Sequence, residues 1–350
     1  MMKLSFFFNH NLFGICLFLL SCGICRFLVT RFPVMDIPNH RSSHLVPVPK
    51  AGGIAIVGTF LAGMLAYYMF AEESMIREHY FIGFVCSALL VAIISFHDDV
   101  KGSSFLFRFF IQAIAATVVM VFGVVISEFK IPLEGIVQLG VLKYVITFLW
   151  IVGLTNAFNF MDGINGLAAG TAVIAGLFFG VISFSQGSDF AYIISYVIVA
   201  GALGFFIFNF PRARLFMGDV GSTFLGFVFA TLAIIAALYD HSHTSFFVMP
   251  LLLFHFIYDT FFTFLRRLIR RENVFLAHRT HLYQLFVRLG YSHTKVSIFY
   301  FVVGTIQGFG AWWMVHIYGD KRALVFIPYL LFQVAYSFII IKKAKKVGLL

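Results

Sequence analysis

Charge is what this sequence has least of. Asp, Glu, Lys and Arg make up 11% of its 350 residues, against roughly 25% in a soluble domain. That shortage excludes an ordinary water-soluble globule, and a hydrophobic fraction of 61% excludes a disordered chain. Cysteine is nearly as scarce. The four present are Cys16, Cys22, Cys25 and Cys86, all in apolar runs, so a disulfide scaffold is excluded. Cys22 and Cys25 form a C-x-x-C that reads as packing inside a membrane helix rather than as redox or zinc chemistry. Repeats, low-complexity segments and any stretch that would fit a soluble domain are also missing. What is abundant is apolar: 48 Phe and a mean hydropathy of +0.96. The composition is that of a polytopic membrane protein.

A bilayer core takes about 20 apolar residues per helix. Eleven segments qualify: 6–28, 52–70, 80–96, 105–126, 138–155, 167–184, 190–208, 223–239, 246–266, 296–318 and 323–341. The first is too long for a signal h-region and has no small-residue cleavage site after it, so it reads as a span. The expected fold is an all-α, polytopic membrane helix bundle of about 11 transmembrane helices, a single domain over 1–350. The net charge of +10 does not point to nucleic acid, because it sorts by side. Loops alternating from Arg26 to Lys346 hold 19 of the 25 basic residues. Basic loops stay in the cytoplasm, so the N-terminus is expected in the periplasm and the C-terminus in the cytoplasm. The opposite loops are short; His241 and His243 in one of them read as solvated rather than as a metal site.

With sidedness set, the polar clusters share one face. Segments 95–104, 156–166, 209–222 and 277–284 are all expected at the cytoplasmic ends of spans. Acids number only 15, yet Asp98, Asp99, Asp162 and Asp219 all lie there. One such Asp could be a helix cap. Four among basic loops would repel lipid phosphate unless a cation sat between, and Asp and Asn oxygens suit a hard cation such as Mg2+ that also binds substrate phosphates. Gly163, Gly166, Gly218 and Gly221 flank these acids and let backbone approach a ligand. Arg108 and Gln112, four residues apart, share a helix face inside the membrane, where an Arg either snorkels or faces a polar cavity. Asp259 reads as a buried partner of a loop Arg or as a site residue. The constellation suggests phosphoryl chemistry at a membrane surface.

These residues resemble a known family, the polyprenyl-phosphate N-acetylhexosamine-1-phosphate transferases. The matching stretches are Asp36-Ile-Pro-Asn-His-Arg-Ser-Ser-His44 with Pro47-Val-Pro-Lys-Ala-Gly-Gly53, then Asp98-Asp99, then Asn156-Ala-Phe-Asn-Phe-Met-Asp-Gly-Ile-Asn-Gly166. Phe216-Met-Gly-Asp-Val-Gly-Ser222, Asp259-Thr260 and His278-Arg-Thr-His-Leu-Tyr-Gln284 follow in order, so the likeness runs over about 36–295. It is nearer to the enzymes that initiate O-antigen and enterobacterial common antigen than to the phospho-N-acetylmuramoyl-pentapeptide transferase. The resemblance implies undecaprenyl phosphate and a UDP-N-acetylhexosamine as partners beside the lipid bilayer, with a homodimer left open. It implies Mg2+ as cofactor, with Mn2+ as an alternative, and a bacterial inner-membrane enzyme working on the cytoplasmic face. It puts the metal on Asp219 with Asn159 as co-ligand, gives Asp98 and Asp99 the lipid phosphate, and has Asp162 support the site. His278, Arg279 and His281 would bind phosphate or sugar, and Phe216 and Asn165 would lie near the uracil.

Two positions depart from the family pattern. Asn165 stands where many members have Asp. Lys50-Ala-Gly-Gly53 stands where many have Arg-Gly-Gly-Gly, so Lys50 keeps the charge but loses the bidentate fork. Asp98 and Asp99, adjacent on a helix, point about 100° apart; one should face the site and the other a neighbouring loop or Lys101. A secondary transporter is the first rival, but its ionisable residues would mark a path near the midplane. A non-catalytic scaffold, the second, gives no reason for the acid and glycine clusters.

Overall fold

In the computed structural model the chain is described throughout except at residues 1–3, 33, 38–46, 71–77, 103, 132–134, 240–243, 275, 277 and 318. Much of the Asp36–His44 stretch, and His241 and His243, therefore lie outside the described residues. The helices are α1 (Leu4–Arg31), α2 (Gly53–Phe70), α3 (Glu78–Lys101), α4 (Phe105–Val121), α5 (Leu142–Phe160), α6 (Leu167–Ser185) and α7 (Asp189–Asn209). Then come α8 (Gly218–Leu238), α9 (Val248–Leu252), α10 (Phe254–Ile269), α11 (Leu282–Arg288), α12 (His293–Met314) and α13 (Phe326–Lys346). Two small antiparallel hairpins join them, β1 (Met35–Asp36) with β2 (Val48–Pro49), and β3 (Glu128–Ile131) with β4 (Gly135–Gln138).

The molecule is an all-α polytopic membrane bundle. Eight helices among the described residues are long and apolar enough to cross a bilayer: α1, α2, α3, α6, α7, α8, α12 and α13. Three of the eleven expected spans fall short of that standard, each for a visible reason. The fourth ends at Val121, giving a 17-residue α4. The fifth starts late, at Leu142, because Gln138 still belongs to strand β4, and its far end carries the polar Asn156 and Asn159. The ninth is interrupted at Leu253, and the α10 that follows bears His255, Asp259, Arg266 and Arg267.

Burial explains the arrangement. A helix apolar on every side belongs in the interior, and α8 is that helix: nearly all of its residues from Val220 to Ala236 are buried. It packs on α3 and α5, while α6, α7 and α2 close the next layer. At the α2–α8 crossing the backbones nearly touch, since a Cβ added to Gly53 would lie 2.2 Å from the Gly221 nitrogen. The four cysteines are free thiols; Cys25 is buried and Cys22 half-buried on α1, while Cys16 and Cys86 are exposed.

Candidate functional site

The polar segments meet at one end of the bundle. Phe216 forms a parallel bridge with Lys50, and its carbonyl accepts from Gly52 N–H at 2.8 Å while its own N–H donates to Pro49. Asn165 donates to the Pro211 carbonyl at 3.2 Å and its backbone carbonyl accepts from Ser297. The Tyr283 hydroxyl donates to the Phe160 carbonyl at 2.9 Å. Segments 47–53, 156–166, 209–222 and 278–284 thus pack together, and the end of α3 joins them through Asp98 and Asp99.

Asp98 and Asp99, both buried, diverge as the helical twist requires. Asp99 turns toward the neighbouring loop. Its Oδ1 accepts from Asp219 N–H at 3.1 Å and its Oδ2 from Val220 N–H at 3.0 Å. The first N–H groups of a helix have no partner within it, so Asp99 caps α8 from another helix, a contact worth roughly 1 kcal/mol. Gly218 makes room: it has φ +73°, and a Cβ there would fall 2.5 Å from Asp99 Oδ2. The outside cation facing Asp99 is Lys50, at 3.7 Å. Lys101, the partner considered from sequence, is exposed on the last turn of α3.

Asp98 turns the other way, into a small cleft. Arg108 stands between two acids there, with Nε 2.9 Å from Asp98 Oδ2 and Nη1 2.9 Å from Asp219 Oδ2. Asp219 sits in the first turn of α8, and its other oxygen accepts from Asn159 Nδ2 at 2.9 Å. Asn159 also donates to Ser222 Oγ. As placed, Asn159 braces the carboxylate with its amide N–H; to ligate a metal it would have to present its carbonyl oxygen instead. Asp162 lies in the turn after α5. Burial, then the nearby charges of Asp219 and Asp99, push its carboxyl up to about 8.

A second, larger cavity of about 590 Å3 adjoins this cleft. Arg108, Asn156, Asn159 and Phe160 line both. One wall is apolar, with Leu149, Trp150, Phe261 and Phe264; the other carries Arg267, His278 and His281. The loop bearing these bases is held from below. Arg267 is buried; its guanidinium pairs with Glu272 at 2.9 Å and donates to the carbonyls of Asn273 and Leu276. Arg266 donates to the Thr280 carbonyl. Burial, then the neighbouring His281 and the charges of Arg267 and Arg266, hold the His278 imidazole down at about 3.

The expected residues therefore divide. Asp98, Asp219 and Asn159 line the small cleft, while Asp99 and Lys50 support it from behind. His278 and His281 line the larger cavity. Arg279 has its carbonyl bonded to Arg288 and does not line either cavity; nor do Phe216 and Asn165, which tie the loops together. Asp259, considered as partner of a loop Arg, instead faces His281 at 3.2 Å. Sequence reasoning left Arg108 undecided and missed the Arg266–Arg267 clamp. The i, i+4 spacing of Arg108 and Gln112 on an otherwise apolar helix was the signal, and Asn156 indeed bonds Gln112 in the cleft.

Among the described residues no three His, Cys, Asp or Glu side chains converge as a ready-made metal cage. That donor set fits an ion held by one or two carboxylates and otherwise by phosphates and water, which is the habit of Mg2+. Asp219 is the more open of the two cleft acids, its side chain 28% exposed against 4% for Asp98, and Asp99 behind them is as closed as Asp98.

Acids, an Arg and two imidazoles thus gather around a half-apolar cavity at one end of a membrane bundle, and comparison with known proteins identifies the class of membrane transferase. The profile of glycosyl transferase family 4 matches residues 81–237, and the chain belongs to this family of polyprenyl-phosphate sugar-1-phosphate transferases. It is 30% identical over 295 residues to a probable undecaprenyl-phosphate N-acetylglucosaminyl 1-phosphate transferase of Bacillus subtilis, covering 84% of this chain and 80% of that one. It is 31% identical to a decaprenyl-phosphate N-acetylglucosaminephosphotransferase of Mycolicibacterium smegmatis, covering 83% and 78%. It is 26% identical to an undecaprenyl-phosphate alpha-N-acetylglucosaminyl 1-phosphate transferase of Yersinia pestis, covering 87% and 81%.

Proposed function

We propose that this protein transfers an N-acetylhexosamine 1-phosphate of GlcNAc, FucNAc or QuiNAc type from its UDP-sugar to undecaprenyl phosphate. The products are the undecaprenyl-diphosphate sugar and UMP, the first membrane step of an O-antigen-like envelope polysaccharide. The observation that carries this reading is the junction of the two cavities at Arg108 and Asn159. A cleft of acids opens there into a cavity with an apolar wall for a lipid and a basic wall for a phosphorylated sugar. The relatives' names supply the acceptor and the GlcNAc group.

An oxygen of the lipid phosphate attacks the β-phosphorus of the donor, and the bond from that phosphorus to the bridging oxygen breaks, so UMP leaves with the bridging oxygen. Both reactants are anions. Bound Mg2+ would neutralise charge on the diphosphate and the departing UMP, with Asp219 as its protein ligand and Asn159 bracing that carboxylate. Arg108, shared by both cavities, orients the phosphates through its guanidinium fork. Asp98 holds Arg108, and Asp99 fixes the turn on which Asp219 rides. One anhydride replaces another, so the exchange is nearly isoenergetic and reversible.

The site faces the cytoplasm of a bacterial inner membrane in this reading, on the 19-to-6 division of basic residues. Purified protein in lipid nanodiscs should release UMP from UDP-GlcNAc, or from another UDP-N-acetylhexosamine, only when undecaprenyl phosphate and Mg2+ are both present. Release without the lipid, or none with any such donor, would overturn the reading. Lys101→Cys and Arg214→Cys should resist an impermeant thiol reagent applied from the periplasmic side.

A further inference from the structure

Behind the basic wall of the larger cavity lies a buried polar knot centred on Asp259, which is 1% exposed. Its Oδ1 accepts from Leu282 N–H at 2.9 Å and from the Thr263 hydroxyl at 3.2 Å, and lies 3.2 Å from His281 Nδ1. Its Oδ2 accepts from Tyr283 N–H at 3.1 Å and the Tyr300 hydroxyl at 3.3 Å. A carboxylate only accepts, so with donors converging on both oxygens the hydrogen between it and His281 belongs to Nδ1. The neighbouring ring is arranged the opposite way. His278 Nδ1 accepts from Thr280 N–H at 3.3 Å, so its hydrogen sits on Nε2. The two imidazoles stack, with centroids 4.8 Å apart and planes 29° apart, and both line the cavity.

We propose that Asp259 is a positioning residue that locks His281 in the Nδ1–H tautomer, so that the stacked His278–His281 pair turns one hydrogen-bond donor and one acceptor toward the bound substrate. Naming that substrate rests on the reading above; the lock itself does not. His278 gives its Nε2–H to an oxygen. His281 offers the Nε2 lone pair, which a hydroxyl or amide N–H satisfies and a fully ionised phosphate, having no hydrogen to give, does not. His281 therefore faces the sugar side of the donor, and the lipid phosphate makes no use of it. A carboxylate oriented behind a histidine in this way selects the ring tautomer in other settings too.

The test needs the whole protein in nanodiscs with 15N-labelled histidine, the His281 signals being assigned by their loss in His281→Gln. In the wild type His281 should show a protonated Nδ1 and a bare Nε2, and Asp259→Asn should erase that preference. In UMP release, Asp259→Asn should lower kcat/KM for the UDP-sugar by about 10–100-fold, the usual size for an outer partner of a histidine. The KM for undecaprenyl phosphate should stay unchanged. The Asp259→Asn/His281→Gln double variant should be no slower than His281→Gln alone. A wild-type His281 protonated on Nε2, or losses that simply multiply in the double variant, would overturn the proposal. If Asp259→Asn does not insert, the wild-type tautomer decides alone. Absence of UMP release by wild type would defeat the function above and leave the tautomer measurement standing.

Discussion

The two walls of the site are built differently. The acids stand on helices, Asp98 and Asp99 on the last turn of α3 and Asp219 on the first turn of α8, as does Asn159, which braces Asp219 from the last turns of α5. Their spacing follows from helix packing, and Asp99 pins the turn that bears Asp219. His278 and His281 stand on the connection between α10 and α11, whose described residues form no helix or strand. It is ordered by polar side chains beneath it, Arg266 and Arg267 at one end and Asp259 at the other. In the proposed function, the charge that must be placed accurately sits on the rigid part, and the donor-facing part sits where a few contacts set its shape. Loops carried on a rigid scaffold commonly divide labour in this way.

The sharpest way to break this contrast is Asp219→Asn. If the helix-borne wall supplies the charge, activity should fall by orders of magnitude while the protein still inserts and unfolds at its usual temperature, and extra Mg2+ should rescue poorly. Near-normal UMP release would remove Asp219 from the centre of the site. Arg267→Ala addresses the other wall. Loss of its bonds to Asn273 and Leu276 should loosen residues 272–281, costing about 10²-fold if the histidines shift by an ångström. Hydrogen exchange should rise across that loop and not in α3 or α8; a rise in the helices as well would mean the walls are not independent.

A third expectation separates the walls by pH. A carboxyl whose folded value is raised, as in Asp162, stabilises the fold at low pH, and that stability is lost as pH climbs from its unfolded value toward about 8. A histidine whose folded value is lowered, as in His278, stabilises the fold above its unfolded value of 6.5, and this is lost as pH falls below it. In the absence of divalent cation, Asp162→Asn should flatten the decline on the alkaline side, and His278→Gln the one on the acid side. Unfolding temperatures across pH check both, and identical curves for the two variants would deny the assignment. The smallest effect concerns the turn that leads into α2. Ala51 is buried with φ +121°, a region that costs a residue with a Cβ about 1–3 kcal/mol. Ala51→Gly, less the entropy that glycine loses on folding, should stabilise the protein by about 1 kcal/mol; destabilisation would mean the methyl's packing outweighs the strain.

Much of this was legible in the sequence, for reasons that can be named. Long apolar runs declare themselves, so eight of the expected spans are helices of crossing length. Scarce acids in apolar surroundings declare themselves too, and the divergence of Asp98 and Asp99 follows from helical geometry alone. What failed was anything set by distance between segments far apart in the chain. Hydropathy leaves 127–137 as a bare loop and cannot see the β3–β4 hairpin there, so it carries the fourth span past Val121 and starts the fifth before Leu142. It cannot see the interruption at Leu253, because the residues on either side remain apolar. Lys50 was found as a charge but not as the partner of Asp99. Asp259 was found as a buried acid but not as the partner of His281, since 22 residues of loop and helix separate the two.

The central place of α8 has a consequence for how the protein meets its bilayer. Of the crossing helices α8 is the most enclosed, whereas α1 and α13 show most of their surface outward. Thicker or thinner lipid tilts the helices it touches, and it touches the outer ones. The carboxylate of Asp219 rides on the helix that lipid barely reaches, so catalysis should tolerate membranes of varied thickness and composition. Growth temperature and lipid remodelling would then alter how fast the long acceptor enters from the bilayer, more than what happens to it once inside.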